Sequence, residues 1–237
     1  MMKPEVVQKL LTLNRQFYDT IADSFAESRQ NPMHGFFDLL AYVPRTPVNL
    51  LDVGCGNGRY GHFMAGQGVL GRYGAVDFSS ELLGKVQQMV PTARVWQRDM
   101  SQPDFLDGVG QYDVVACLAA MHHLPGRENR VQLLQELKGC LGENGRIFLA
   151  NWQFTDSERQ RRKIMDWAEI GLSAADVEPG DYLLKWQRGR VALRYACMVD
   201  EAETARLAAA AGLNIVAQFR NDGKEGNLSL YTVLVPV

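Results

Sequence analysis

The chain has no apolar run approaching the roughly 20 residues that a bilayer-crossing helix needs, so no membrane span is expected. Its start, Met1-Met2-Lys3-Pro4-Glu5, leads into a polar amphipathic segment where a secretory leader would carry an apolar stretch. Cysteine is scarce. Cys55, Cys117, Cys140 and Cys197 stand far apart with no C-x-x-C pair, which argues against a zinc site. A cytoplasmic protein with reduced thiols is the expectation. Neither charge dominates: 25 Lys and Arg face 27 Asp and Glu, a formal net charge of −2. The molecule as a whole is therefore no polyanion trap, and any nucleic-acid contact must come from a local patch. Internal repeats and low-complexity tracts are absent. What remains is 237 residues, 46% hydrophobic, enough for a full core. That length suits one α/β domain over residues 1–237, with N-terminal helices over 1–45 and a modest insertion.

The organising stretch is Val48-Asn49-Leu50-Leu51-Asp52-Val53-Gly54-Cys55-Gly56-Asn57-Gly58-Arg59-Tyr60. Its first half reads as a buried parallel strand. Gly54, Gly56 and Gly58 then alternate through a turn, and Tyr60, Phe63 and Met64 recur at helical spacing beyond it. Strand, glycine turn and helix make the nucleotide-binding half of a doubly wound sheet. The dinucleotide fingerprint G-x-G-x-x-G would need glycine where Arg59 stands. Asp52 at the strand end would repel a pyrophosphate and suit a ligand that carries an ammonium group. S-adenosylmethionine (SAM) has an amino-acid end, a sulfonium and no phosphate, and the stretch resembles the glycine motif of class I SAM-dependent methyltransferases. An ordinary glycine-rich strand–helix turn is the plainer alternative.

Along the chain, Val6, Leu10, Leu13, Phe17, Ile21 and Phe25 mark one amphipathic helix or a pair. Residues 35–43 read as a further helix. Strands are predicted at 48–53, 73–77, 93–97, 112–118, 145–152, 213–219 and 228–235, with helices at 79–90, 128–141 and 202–211 between them. The fold class is therefore α/β, a doubly wound, seven-stranded Rossmann-like sheet whose late strand pair suits the class I order. Asp77 ends the second strand 19 residues after Gly58, a spacing that suits a carboxylate on two ribose hydroxyls. Residues 153–190 change character. They are charged, carry no sheet signal, and are predicted to form a helical insertion after the fifth strand that sets substrate choice. Arg159, Arg161, Arg162 and Lys163 form one basic group, and Lys185, Arg188, Arg190 and Arg194 a second. With Trp186 and Tyr195 they suit phosphates and a stacked base, or else form solvated faces. The adjacent His122 and His123 lack a third ligand at metal spacing, so no metal is expected; one is expected to border the methyl-transfer site and the other to pack.

Several segments together are similar to one branch of the class, the tRNA wobble-uridine methyltransferases that esterify carboxymethyluridine. They are Tyr18-Asp19-x-Ile21-Ala22-x-x-Phe25-x-x-x-Arg29, the glycine stretch, His122-His123 with Arg130 and Gln135-Glu136-Leu137, Trp152, and Arg194-Tyr195. The segment after Trp152 and the C-terminal strands match loosely. The resemblance implies SAM as cofactor, held by Tyr18, Arg29, Asp52, Gly54, Gly56 and Gly58. Asp77 and Phe78 follow, then Asp99 on the adenine amino group, Met100 on the ring, and Cys117 and Leu118. It implies a substrate side made by His122, His123, Trp152, Arg194 and Tyr195, with His122, Arg29 and Arg194 as catalytic candidates. It implies tRNA as a partner, and leaves room for a small activating subunit.

The chemistry needs little acid–base help, because the sulfonium methyl is already activated. A carboxylate acceptor is ionised at neutral pH and requires no base. A hydroxyl or amine acceptor would need one, and His122 or His123 would be the candidate. Three readings stay open: a tRNA-modifying carboxyl O-methyltransferase, a small-molecule O- or N-methyltransferase, and an inactive SAM-binding scaffold or partner subunit. Retention of Asp52, Asp77 and Asp99 argues against the last.

Overall fold

The computed structural model describes residues 2–27, 31–186 and 192–237, without the side chains of 19 and 21–27. In chain order it contains α1 (Pro4–Glu27), α2 (Gly35–Leu39), β1 (Val48–Val53), α3 (Arg59–Gly66), β2 (Leu70–Asp77), α4 (Ser80–Met89), β3 (Arg94–Gln97) and β4 (Tyr112–Leu118). There follow α5 (Arg127–Gly139), β5 (Leu141–Trp152), α6 (Glu158–Arg161), β6 (Ile164–Met165), β7 (Asp181–Trp186), β8 (Ala192–Cys197), α7 (Glu201–Ala210), β9 (Leu213–Asn221) and β10 (Ser229–Pro236).

Seven strands form one sheet in the order β3-β2-β1-β4-β5-β10-β9. The first five run parallel, and β10 inserts antiparallel to both β5 and β9. The strand order reverses between β1 and β4, which is where open α/β sheets bind ligands, beyond the strands' carboxyl ends. Alternating residues feed two cores. Leu50, Ala75, Val114 and Phe148 pack with α3 and α4, through Tyr60, Phe63, Met64, Leu83 and Val86. Leu51, Val53, Val115 and Ile147 pack with α1, α5 and α7, through Leu10, Leu133, Leu137 and Leu207. Both faces of β1 are thus covered, which explains its unbroken apolar run.

Two expectations are corrected. Among the described side chains the buried stripe of α1 is Val6, Leu10, Asn14 and Phe17, with Asn14 in place of the expected Leu13; the expected Ile21 and Phe25 lie outside them. The insertion is not helical in the main: β6, β7 and β8 form a second, three-stranded antiparallel sheet, and its only α-helix among the described residues is the single turn α6. Leu183 and Leu184 are both buried, so β7 lacks the period-2 alternation that betrays a half-exposed strand. β8 lies along α1, and this contact carries the small sheet to the ligand edge of the large one.

Candidate functional site: a cofactor cavity under the first helix

Gly54, Gly56 and Gly58 all take positive φ, at 68°, 57° and 80°. At Gly54 a Cβ would stand 2.5 Å from the Ala120 Cβ, so the turn admits no larger residue without a shift. Gly58 faces α4 instead; its Cβ would meet Val86 at 3.0 Å, and it does not line the cavity described next.

The turn, the end of β2 and the loops after β3 and β4 enclose a cavity roofed by α1. Gly54, Gly56, Asp77, Phe78, Asp99 and Met100 line it from the sheet side, and Leu11, Asn14, Arg15 and Tyr18 from α1. Ala119, Ala120 and His123 close the β4 side. A smaller cavity shares Gly54, Gly56 and Ala119 and continues past Asp52, Arg59, Tyr60 and Leu118.

Asp77 holds the turn to the next helix: Oδ2 accepts the Gly56 N–H at 2.9 Å and Oδ1 the Ser79 N–H at 3.0 Å. Burial pushes its carboxyl above the usual range, and the backbone donors at Ser79 and Gly56 pull it back. Asp52 is buried more completely. The Tyr73 hydroxyl donates to it at 3.1 Å, yet burial wins and lifts its pKa to about 7. The buried Tyr60 hydroxyl has no hydrogen-bond partner among the described residues. A buried acid and an orphaned hydroxyl, both in the smaller cavity beside Arg59, fit the ammonium and carboxylate end of SAM. The larger cavity, mostly apolar with Asp77 at its edge, fits the adenosine.

Other expected residues fall as follows. Tyr18 lies edge-on to Phe78, with ring centres 6.2 Å apart, and to His123 at 5.6 Å. Asp99 borders the cavity, but one oxygen accepts the Ser101 N–H at 2.9 Å and the other pairs with Arg15 of α1. Cys117 is corrected: it is wholly buried in the α1-side core, burial pushes its thiol up to about 12, and it does not reach the cavity. Of the two histidines, His123 lines the cavity, whereas His122 is buried beside it, its Nδ1 3.5 Å from the Trp152 backbone nitrogen. Arg29, Arg188 and Arg190 lie outside the described residues.

Arg194 is buried among aromatic rings, its guanidinium carbon 4.7 Å from the centre of Trp152, 5.1 Å from Phe17 and 5.8 Å from Trp186. Burial lowers its pKa, and the Tyr18 hydroxyl beside it raises it again. Tyr195 is also corrected. Its ring is fully buried in the α1-side core, and its hydroxyl binds Asp181 at 2.6 Å and Arg130 at 3.2 Å, so it presents nothing to a substrate. Sequence reasoning missed Asn14 and Arg15. The signal for Asn14 was a polar residue interrupting an apolar stripe; Arg15 left none. Among the described residues, no group of three His, Cys, Asp or Glu is placed to hold a metal, and no helix is long and apolar enough to cross a membrane.

A family model described as a methyltransferase domain matches residues 25–218. The chain is 28% identical, over 155 residues, to tRNA (carboxymethyluridine(34)-5-O)-methyltransferase alkbh8 of Xenopus tropicalis, a match covering 64% of this chain and 23% of that protein. It is 24% identical, over 146 residues, to tRNA (carboxymethyluridine(34)-5-O)-methyltransferase of Schizosaccharomyces pombe, covering 62% of this chain and 60% of that one. It thus spans less than two thirds of either relative. A S-adenosylmethionine-dependent methyltransferase from Clostridium acetobutylicum shares the fold, with a TM-score of 0.66 at 12% identity over 94% of this chain and 98% of that one. With a family match over most of its length, the chain belongs to the methyltransferase domain family, and its reversed sheet order is that of the solved S-adenosylmethionine-dependent methyltransferase whose fold it shares.

Proposed function

We propose that the enzyme esterifies an ionised carboxylate, the carboxymethyl group of a modified wobble uridine in tRNA. The observation that carries this reading is Arg194: a buried guanidinium with no carboxylate paired to it among the described side chains, one side chain away from the cofactor cavity through Tyr18. When bound, SAM supplies a methyl on a sulfonium, lost in one displacement that leaves a neutral thioether and a methyl ester. Asp77 holds the ribose, Asp52 the ammonium, and Tyr18 and Phe78 wall the adenosine. Arg194 binds one oxygen of the acceptor carboxylate and leaves the other to attack. No proton has to move, because the acceptor is already an anion.

The small sheet supports the tRNA half of the reading. The Lys185 N–H donates to the Lys163 carbonyl at 2.8 Å, so the basic run at 159–163 and Lys185 meet at one end of β6 and β7. Arg159, Arg161 and Arg162 are exposed there, the last paired with Glu158 of the same turn. The named relatives act on tRNA carboxymethyluridine by their own descriptions. The deciding experiment offers SAM with an anticodon stem-loop bearing 5-carboxymethyluridine, with its neutral carbamoylmethyl counterpart, and with a panel of small hydroxyl, amine and carboxylic acceptors. Ester on the first alone supports the proposal. Product only among the small acceptors makes this a small-molecule methyltransferase. Tight SAM binding with no product anywhere returns the scaffold reading.

A further inference from the structure

Asn14 is 6% exposed in the middle of the apolar face of α1. Its side-chain oxygen accepts the Tyr195 N–H at 2.8 Å, and its amide donates to the His123 carbonyl at 2.9 Å. The Tyr195 carbonyl lies 3.1 Å from His123 Nδ1. A carbonyl only accepts, so that nitrogen carries the proton, and the neutral ring has its lone pair at Nε2. Three residues from α1, from the loop after β4 and from β8 thus close one ring of hydrogen bonds.

The ring is anchored from outside the cavity. The Tyr195 hydroxyl binds Asp181 at 2.6 Å and Arg130 at 3.2 Å. Arg130, buried, binds Glu178 at 3.1 Å and the Leu124 carbonyl at 3.0 Å. Asp181 and Glu178 belong to the insertion; Asn14, His123 and Leu124 line the cofactor cavity. The methyl-transfer reading uses none of these bonds, yet all are buried or part-buried polar contacts whose loss would leave a partner unsatisfied.

We propose that Asn14 and Tyr195 are positioning residues that lock His123 as the Nδ1–H tautomer in the cavity wall, so that the wall is complete only when β8 of the small sheet is docked on α1. Docking of the substrate-side sheet and completion of the cofactor site are then one event. This goes beyond the choice of acceptor and stands whichever acceptor proves correct.

The test reads the ring directly. Long-range proton–nitrogen spectra of the full-length protein with labelled histidine, at about pH 8.5 where imidazoles are neutral, report the His123 tautomer; the signal is assigned by its loss in His123→Gln. The wild type is expected to be protonated at Nδ1. Asn14→Ala should shift the signal toward the Nε2–H form and weaken S-adenosylhomocysteine binding about five- to tenfold, the scale of one lost buried hydrogen bond. Tyr195→Phe keeps the ring and loses only the hydroxyl, which lies away from the cavity; it should move both readouts the same way by a smaller factor. Leu213→Ala, a packing loss at β9, should move neither. An Nε2–H tautomer in the wild type overturns the proposal. So does an unchanged His123 signal in folded Asn14→Ala, or an equal change in Leu213→Ala. Should Asn14→Ala not fold, Asn14→Asp, which keeps the acceptor for the Tyr195 N–H and loses the donor to the His123 carbonyl, takes its place: an unchanged signal there overturns the proposal.

Discussion

The Arg194 guanidinium carbon stands 4.7 Å above the Trp152 ring, and Phe17 and Trp186 close two further sides. Ring faces return about 0.5–2 kcal/mol to a cation, whereas burying an ion costs several. The surplus cost falls if an anion approaches. The cage also holds the side chain's orientation, so a carboxylate acceptor of the kind proposed would meet a preformed fork.

Replacing Arg194 by Ala is therefore expected to cut turnover on the carboxylate acceptor at least tenfold, roughly 1.4 kcal/mol or more of lost stabilisation. SAM affinity should barely change, since Arg194 does not line the cavity. Lys should rescue little, because a point charge lacks the planar fork. Steady-state kinetics with calorimetry on both variants checks this; a Lys variant at full rate would mean that only diffuse positive charge is needed.

Asp77→Ala should weaken SAM binding by about 1–3 kcal/mol, the scale of a lost charged hydrogen bond. It should also lower the melting temperature, because the Gly56 and Ser79 N–H groups lose their acceptor. Asp77→Asn keeps one acceptor oxygen for those donors, and so should keep more stability than affinity. Calorimetric titration beside thermal melts separates the two effects, and unchanged affinity in the folded Ala variant would remove Asp77 from the cofactor site.

The large sheet was legible because its strands obey a simple rule. Strands covered on both faces read as apolar runs, as Leu50-Leu51 and Val114-Val115 do, and a glycine turn after the first of them marks the ligand edge. The small sheet obeys the same rule and was still missed, since Leu183 and Leu184 sit inside a charged stretch whose composition looked solvated. Tyr195 has the same cause: its place beside Arg194 in the sequence points to a basic, base-stacking surface, but successive strand residues point to opposite sides. Asp99 illustrates a different gap. Its pairing with Arg15 spans 84 positions of sequence and depends on where α1 comes to rest, which no local pattern encodes.

The basic end of the insertion makes a salt-dependent forecast. If Arg159, Arg161 and Arg162 contact RNA phosphates, each contact releases a counterion and adds about 0.7–0.9 to the slope of log affinity against log salt. Reversing all three to Glu should flatten that slope by about 2–3 and leave SAM binding intact. Filter binding of tRNA at several salt concentrations measures it. Equal slopes for both proteins would move the substrate toward small molecules.

Asp52 offers the sharpest separation of stability from function. Its carboxyl titrates near 7 in the fold against an ordinary value of 3.8, chiefly through burial, with Asp77 adding to the rise while Tyr73 and Arg59 oppose it. A raised carboxyl favours the folded state least when ionised. Below about pH 4 both folded and unfolded chains hold the proton and no penalty exists. Between about pH 4 and 7 the unfolded chain ionises first, and stability falls as pH rises. Above about pH 7 the full penalty is in place. Three units at 1.36 kcal/mol each set an upper scale of about 4 kcal/mol. Asp52→Asn is neutral throughout and still accepts the Tyr73 hydroxyl. In the cofactor-free protein at about pH 8 it is expected to melt about 5–10 °C higher than wild type, a figure from about 2–3 kcal/mol at this chain length. The difference should vanish as pH falls to about 4. SAM affinity should move the opposite way, because the ammonium loses its counter-charge. Melting curves across this pH range, with and without cofactor, check both halves. Parallel stability curves for the two proteins would mean that Asp52 ionises normally and is not waiting for a cation.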